Sequence, residues 1–182
     1  LSVSMTQMGK YYGFPVYVNT GLTDSKATDA QAGLESGITL ACGVAAGADI
    51  FGHMGTCGVD QAASLDFLIL QDEIIAYIES MMRDIEFSDE TLGFDEINEV
   101  GPGGTYLDRM FTAEHFRKEL WFPRLLDRNF YQKWMDDGKT SMGERCHMRK
   151  DELLKSHSPE PVSDTLEKVL DEIVAAAKKD LG

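Results

Sequence analysis

The chain has 182 residues, of which 43% are hydrophobic and 26% charged, and its formal net charge is −14. This length suits one domain with a sizeable core. The acidic balance argues against binding to nucleic acid or to an anionic membrane, because both attract basic surfaces. Three cysteines without a CxxC pair favour free thiols in a reducing compartment, so we expect a cytoplasmic protein.

The first half of the chain predicts alternating helices and strands. Residues 3–12 indicate a helix, 16–19 a strand, 29–46 a helix of small residues and 49–52 a second strand. A third helix is predicted over 60–85, because apolar side chains recur there at steps of three and four. These are Phe67, Leu70, Ile74, Ile78, Met81 and Ile85. Such alternation is typical of an α/β protein with βαβ units on a parallel sheet.

The second half predicts short helices. One is expected over 89–100 and a second over 112–120, with the threonine at 112 as its N-cap. The aromatic residues of 119–134 either pack against the body of the protein or form a cage for a cation. A final helix is predicted to begin near residue 164. All of these elements follow the two strands, so the second half is expected to be helical.

Two strands alone do not make a stable sheet. We therefore expect further strands to come from chain upstream of Leu1 or from a partner. Until they are supplied, apolar surface should be exposed beside the two strands.

The first strand leads into an unusually polar turn, YVNTGLTDSK, over residues 17–26. Ligands of α/β proteins bind at the C-terminal ends of parallel strands, where this turn lies. Asp24 and Ser25 could bind a cation or polarise a ligand there, but both residue types also form ordinary turns. For Asp29 the favoured interpretation is a helix N-cap.

His53 follows the second strand and is flanked by Gly52 and Gly55. A histidine at this place can bind a carboxylate, transfer a proton or bind a metal. The alternative is a loop histidine in solvent. The cysteines Cys42, Cys57 and Cys146, taken with His53 and His147, match no structural zinc spacing, and Cys42 is expected to be buried in its helix.

Three segments carry a resemblance to a known family. They are FPVYVNTGLTDSKATDAQAGLESG, GADIFGHMGTCGVDQAASLDFLILQDEI and EVGPGGTYLDRMFTAEHFRKELWFPRLLDRNFYQKW. Together, and in this order, they resemble the C-terminal part of the trimethylamine methyltransferase (MttB) family. Members of that family are TIM (β/α)8 barrels that move a methyl group from a tertiary or quaternary amine to the Co(I) of a separate corrinoid protein.

The resemblance implies an architecture and a set of partners. Residues 1–105 would be the last βα units of the barrel, and 106–182 a C-terminal helical extension of the same domain. No cofactor would be bound directly, because the corrinoid is carried by the partner protein. We expect a small methylated amine as substrate and a homo-oligomer as the assembly.

The resemblance also implies site residues. His53 and Asp24 are the expected catalytic residues, and no metal site is expected. A quaternary ammonium is attracted to a carboxylate or an aromatic face, whereas a substrate carboxylate is attracted to a histidine. The expected substrate-binding residues are Tyr17, Asn19, Thr23, Ser25 and Glu35.

The expected substrate follows from one difference between this chain and the trimethylamine-specific members of the family. Trimethylamine-specific members of the family carry pyrrolysine, and the 182 residues contain only standard amino acids. A betaine-type quaternary amine is therefore favoured, with trimethylamine possible. Two alternatives remain open: a catalytically inactive fragment that acts as a docking surface, and a metal-dependent TIM-barrel hydrolase.

Overall fold

A computed structural model describes residues 1–181, so Gly182, the last residue of the predicted helical extension, lies outside the described residues. The chain divides into two compact units, Leu1–Lys150 and Asp151–Gly182. The division at residue 105 that the resemblance implied lies within the first of these units, and it stays a prediction.

Helices dominate the described residues, and the strands are short. The elements in chain order are α1 (Ser2–Tyr11), β1 (Tyr17–Val18), α2 (Ala30–Ala45), β2 (Ile50–Phe51), β3 (Thr56–Cys57), β4 (Ala62–Ala63), α3 (Leu65–Met82), α4 (Asp89–Leu92), α5 (Phe94–Val100), α6 (Met110–Glu119), α7 (Tyr131–Asp136), α8 (Met142–Ser156) and α9 (Asp164–Leu181).

The strands β1 and β2 are parallel neighbours, and α2 connects them. Tyr17 pairs with Ile50 and Val18 with Phe51. This confirms the predicted βαβ arrangement, while the complete barrel stays a prediction. Tyr17 is 53% exposed and Ile50 is 55% exposed, so the apolar surface expected beside the strands is present.

Helix α2 packs closely on the sheet because glycine stands at the contact. A Cβ at Gly43 would lie 2.8 Å from the ring of Phe51. The buried stripe of α2 runs at steps of three and four through Ser36, Leu40 and Gly43. Cys42 lies outside this stripe and is exposed, so the prediction that it is buried is wrong.

The helix predicted from residue 60 begins later, at Leu65, where Ser64 accepts a hydrogen bond from the backbone N–H of Phe67 at 3.2 Å. The preceding residues form an antiparallel hairpin of β3 and β4 instead. Val59 and Asp60 at its tip have φ of 60° and 58°. Positive φ at two successive residues is typical of a tight hairpin turn. The sequence did not predict this turn, because Val is rare at positive φ.

The predicted apolar stripe of α3 is buried along its first part only. Phe67, Leu70 and Ile78 are buried, whereas Met81 in the last turn of α3 is 62% exposed and Ile85, beyond the end of α3 at Met82, is 70% exposed. The core around α3 joins four elements: α2, β3, α3 and α8. Its buried members are Ala32, Cys57, Phe67, Leu70 and Cys146.

The short helices after α3 differ in detail from the prediction. Gly93, with φ of 59°, separates α4 from α5 within the predicted single helix. Helix α6 begins at Met110 with Arg109 as its N-cap residue, so the prediction of Thr112 as N-cap is wrong. Arg109 takes this place with extended backbone, and its guanidinium pairs with Glu96 of α5 at 2.6 Å.

Within the aromatic stretch, Trp121 stacks on Tyr77 of α3 with ring centroids 4.8 Å apart. This contact favours packing over a cation cage for Trp121. In the second unit, α9 begins at Asp164 as predicted, and Ser163 accepts a hydrogen bond from the N–H of Leu166 at 3.3 Å.

Candidate functional site

His53 contacts the end of the neighbouring strand. Its Nδ1 lies 2.8 Å from the side-chain oxygen of Asn19 and 3.4 Å from the hydroxyl of Tyr17. An amide oxygen only accepts hydrogen bonds, so Nδ1 carries the proton in the shorter contact. In neutral His53 the lone pair is then on Nε2. The predicted approach of the two strand ends is confirmed by this contact.

The local backbone explains how the imidazole reaches Asn19. A Cβ at Gly52 would lie 1.7 Å from the hydroxyl oxygen of Tyr17, so only glycine lets the tyrosine side chain cross over β2. His53 itself has φ of 60°, and its carbonyl accepts the N–H of Thr56 at 3.1 Å. A histidine in this region of φ costs about 1 kcal/mol or more, and such strain is concentrated at functional sites.

The polar turn after β1 is fastened to α2 by a carboxylate. Glu35 accepts hydrogen bonds from the Thr23 hydroxyl at 2.6 Å, from the Asp24 N–H at 2.9 Å and from Gln31 at 2.9 Å. The Thr23 hydroxyl contributes most to holding the pKa of Glu35 below its ordinary value. Glu35 therefore shapes the turn in addition to the substrate contact that the resemblance implies.

Ser25 links the turn to the start of α2. Its hydroxyl donates to Asp29 at 2.9 Å, and its carbonyl accepts the N–H of Gly58 at 3.0 Å. Asp29 caps α2 by accepting the N–H of Ala32 at 3.0 Å, as predicted. That backbone contact is the main cause that lowers the pKa of Asp29, and the Ser25 hydroxyl is the second.

The predicted site residues thus fall into two groups. Tyr17, Asn19 and His53 meet at the strand ends. Thr23, Ser25 and Glu35 build the turn, with Thr23 and Ser25 buried. Asp24 is exposed, and across residues 1–181 its carboxylate makes no hydrogen bond, whereas its backbone N–H binds Glu35. The described contacts do not join Asp24 to His53.

Sequence reasoning missed Gln71. This residue is fully buried on α3, and its amide contacts backbone groups of both strand-end turns. The available signal was a polar residue directly after Leu70, within the buried part of an apolar helix.

The contacts of Glu35 predict a pH dependence of stability. Because the folded pKa lies below the ordinary value of 4.5, its contribution to stability is present above pH 4.5 and is lost as the pH falls through the folded pKa. We expect Glu35→Gln to lower the melting temperature at neutral pH, with the difference from wild type shrinking below pH 4.5. Thermal unfolding across this pH range measures it. In a Thr23→Val background the pH-dependent part should become smaller; an unchanged profile there would contradict the assignment.

Among the described residues there is no metal-binding cluster, and the buried thiol of Cys146 is not activated. Within residues 1–181, no cluster of three or more His, Cys, Asp or Glu side chains could hold a metal ion. Burial, with a smaller effect of Asp66, raises the pKa of Cys146 to about 11, so this thiol is protonated at neutral pH. In the same part of the chain, the helices are all too short or too polar to cross a membrane.

A cavity of about 650 Å³ opens elsewhere in the first unit, between α2, α3 and α8. Its lining is mainly apolar and includes Leu70, Ile74 and Met142, together with the buried Glu73. Tyr17, Asn19 and His53 do not line it.

Comparison with known proteins finds a family model and individual relatives that are all methyltransferases of small amines. The sequence model of the trimethylamine methyltransferase (MTTB) family matches residues 1–182. A glycine betaine methyltransferase of Desulfitobacterium hafniense (strain Y51) is 32% identical over 179 residues, which are 97% of this chain and 37% of that protein. The trimethylamine methyltransferase MttB of Methanosarcina barkeri is 28% identical over 182 residues, which are 98% of this chain and 36% of that protein. The chain therefore spans little more than a third of these relatives.

Proposed function

Because the chain belongs to the trimethylamine methyltransferase (MTTB) family along its whole length, we propose that the complete gene product transfers a methyl group from a small amine to the Co(I) of a corrinoid protein. The N–CH₃ bond breaks, the amine nitrogen keeps the electron pair and the methyl group passes to cobalt. The acceptor supplies the nucleophile, so the chain needs none of its own. The observation that carries the proposal is the 2.8 Å contact of His53 with Asn19 at the ends of two parallel strands.

The three residues at the strand ends have distinct roles in this proposal. His53, oriented by Asn19 through Nδ1, presents Nε2 to the substrate, and as an imidazolium it donates to a substrate carboxylate. Tyr17 offers an aromatic face beside it, with its ring centroid 6.2 Å from that of His53. An aromatic face attracts a quaternary ammonium.

The turn contributes charge. The Asp24 carboxylate is exposed, and the Lys26 ammonium beside it donates to the Asp24 backbone carbonyl at 2.7 Å rather than to the carboxylate, so the carboxylate remains available to an ammonium group. The network of Thr23, Ser25 and Glu35 fixes the backbone from which Asp24 projects. In the proposed barrel, β1 and β2 are successive strands, and these groups lie at its C-terminal mouth.

A betaine-type substrate is favoured over trimethylamine. The relative named glycine betaine methyltransferase is 32% identical to this chain, against 28% for the trimethylamine methyltransferase of M. barkeri. A histidine suits the carboxylate of a betaine, which trimethylamine lacks. The two alternatives, a metal-dependent hydrolase and an inactive docking fragment, stay predictions. A homo-oligomer in the cytoplasm stays a prediction.

The test is methyl transfer by the complete gene product with a corrinoid protein reduced to Co(I). We expect glycine betaine or a related quaternary amine to methylate the cobalt, as followed by the visible spectrum of the corrinoid, and trimethylamine to react poorly. Omitting the gene product is the control. Turnover of trimethylamine without any quaternary amine activity would refute the substrate assignment, and no transfer from any methylated amine would refute the function.

A further inference from the structure

The buried amide of Gln71 contacts two turns: the turn after β1, which contains Gly21, and the turn after β2, which contains Gly55. Its Nε2 donates to the carbonyl of Gly21 at 2.6 Å, and its Oε1 accepts the N–H of Gly55 at 2.6 Å. The side chain of Gln71 is completely shielded from solvent. A buried amide that meets donor and acceptor at once fixes the distance between the two backbone groups that it binds.

The two bonds have equivalent positions in the two turns. Gly21 lies two residues after Asn19, and Gly55 lies two residues after His53. Both glycines have positive φ, 89° and 83°, at which a residue with a Cβ is strained. Gln71 therefore holds each turn at a glycine of positive φ, just beyond the side chains that contact each other.

The other bonds at these glycines do not link one turn to the other. The N–H of Gly21 donates to Thr39 of α2 at 2.9 Å. The carbonyl of Gly55 accepts the N–H of Ser64, at the start of α3, at 2.9 Å. Gln71 contacts both turns from one rigid helix, so it can set their separation.

We propose that Gln71 is a positioning residue: it sets the distance and orientation at which His53 meets Asn19, and thereby the proton position on the imidazole that faces the substrate. The effect on the imidazole stands on the contacts alone, whereas the effect on catalysis rests on the proposed function. An amide is required: methionine removes both hydrogen bonds to the turns, and glutamate removes the donor to Gly21 while keeping the acceptor for Gly55. Both variants also remove the longer contact of Nε2 with the Ser36 hydroxyl at 3.5 Å.

The test uses the complete gene product labelled with ¹⁵N-histidine, with the His53 signals assigned through His53→Asn. In the wild type we expect neutral His53 to carry its proton on Nδ1. In Gln71→Met we expect a shift toward Nε2–H, the form that prevails for histidine free in water, and an intermediate shift in Gln71→Glu. An unchanged tautomer in whichever of the two variants folds would overturn the proposal.

A matched control separates positioning from loss of stability. Ile78 is also buried on α3, about two turns beyond Gln71, and its apolar side chain has no group that could replace the two hydrogen bonds, so Ile78→Ala destabilises the same helix without removing them. We expect it to leave the His53 tautomer unchanged at a comparable loss of melting temperature. An equal tautomer shift in Ile78→Ala would show that the shift comes from the loss of stability and not from the hydrogen bonds of Gln71, and would overturn the proposal.

Kinetics give the second readout. We expect Gln71→Met to lower kcat/KM for a quaternary amine roughly 10-fold, as the loss of one net hydrogen bond would do. Added to Asn19→Ala, the change should have little further effect, because both act through His53. Full additivity would overturn the proposal. The two proposals can fail separately. If the wild type transfers no methyl group but the tautomer of His53 still shifts in Gln71→Met, the proposed function is refuted and the positioning role is supported.

Discussion

Replacing His53 by alanine is expected to lower kcat/KM for a carboxylate-bearing quaternary amine by roughly 10- to 1000-fold in the complete gene product. A lost hydrogen bond to a charged group costs about 1.5–3 kcal/mol, and a direct part in the reaction adds to this. The imidazole is exposed and contacts Asn19 and Tyr17 rather than the core, so the fold should persist. The measurement is the rate of corrinoid methylation as a function of amine concentration.

Two variants control for indirect effects. His157→Ala removes an exposed histidine from the second unit and should leave kcat/KM unchanged. His53→Asn retains a residue that tolerates positive φ, so it tests the imidazole with the backbone preserved, and it should be as impaired as His53→Ala. Wild-type kinetics in either His53 variant would remove His53 from the site.

The backbone arrangement that creates this site was largely predictable. The strands at residues 16–19 and 49–52 and the helix between them were identified from apolar runs, glycine and a capping aspartate, and the parallel pairing of β1 and β2 confirms them. From that pairing alone, two strand ends had to lie close together. The contact of Asn19 with His53 follows, because Asn19 stands directly after β1 and His53 stands two residues after the end of β2.

The predictions that were wrong concern features that depend on backbone angles and on contacts between residues far apart in sequence. Periodicity could not show that α3 starts at Leu65, because Val59 and Asp60 adopt positive φ without an Asn-Gly signal. Ile85 falls outside α3 because the helix stops at Met82, and local sequence defines helix ends poorly.

The most informative misses are the polar residues inside α3. Periodicity assigned the buried positions of this helix to apolar side chains, yet Gln71 and Glu73, which point to different sides of α3, are buried as well. Gln71 binds Gly21, which is 50 residues away in sequence. Glu73 binds Leu125 and Leu126, which are 52 and 53 residues away. A buried polar residue requires a partner, but sequence alone does not say which segment supplies it.

Glu73 gives the second large effect, on stability. Its side chain is 1% exposed, and its Oε1 accepts the backbone N–H groups of Leu125 at 2.9 Å and Leu126 at 3.1 Å. Arg124 stands 3.7 Å from the other oxygen. Glu73→Ala leaves two backbone donors without their acceptor, whereas Arg124 keeps Asp72, so we expect the free energy of unfolding to fall by about 2–5 kcal/mol. Chemical denaturation with urea measures this change.

The neighbouring acid provides the matched control, since Asp72 also pairs with Arg124, at 2.8 Å, but is 63% exposed. Solvent screens that pair, so Asp72→Ala should cost at most about 1 kcal/mol. Glu73→Gln keeps an acceptor oxygen for the two N–H groups and should fall between the two alanine variants. This order follows if Glu73 acts by receiving the backbone of residues 125–126. Equal losses for Asp72→Ala and Glu73→Ala would instead assign the effect to the ion pair with Arg124, and would contradict the role of the buried carboxylate in fixing this segment to α3.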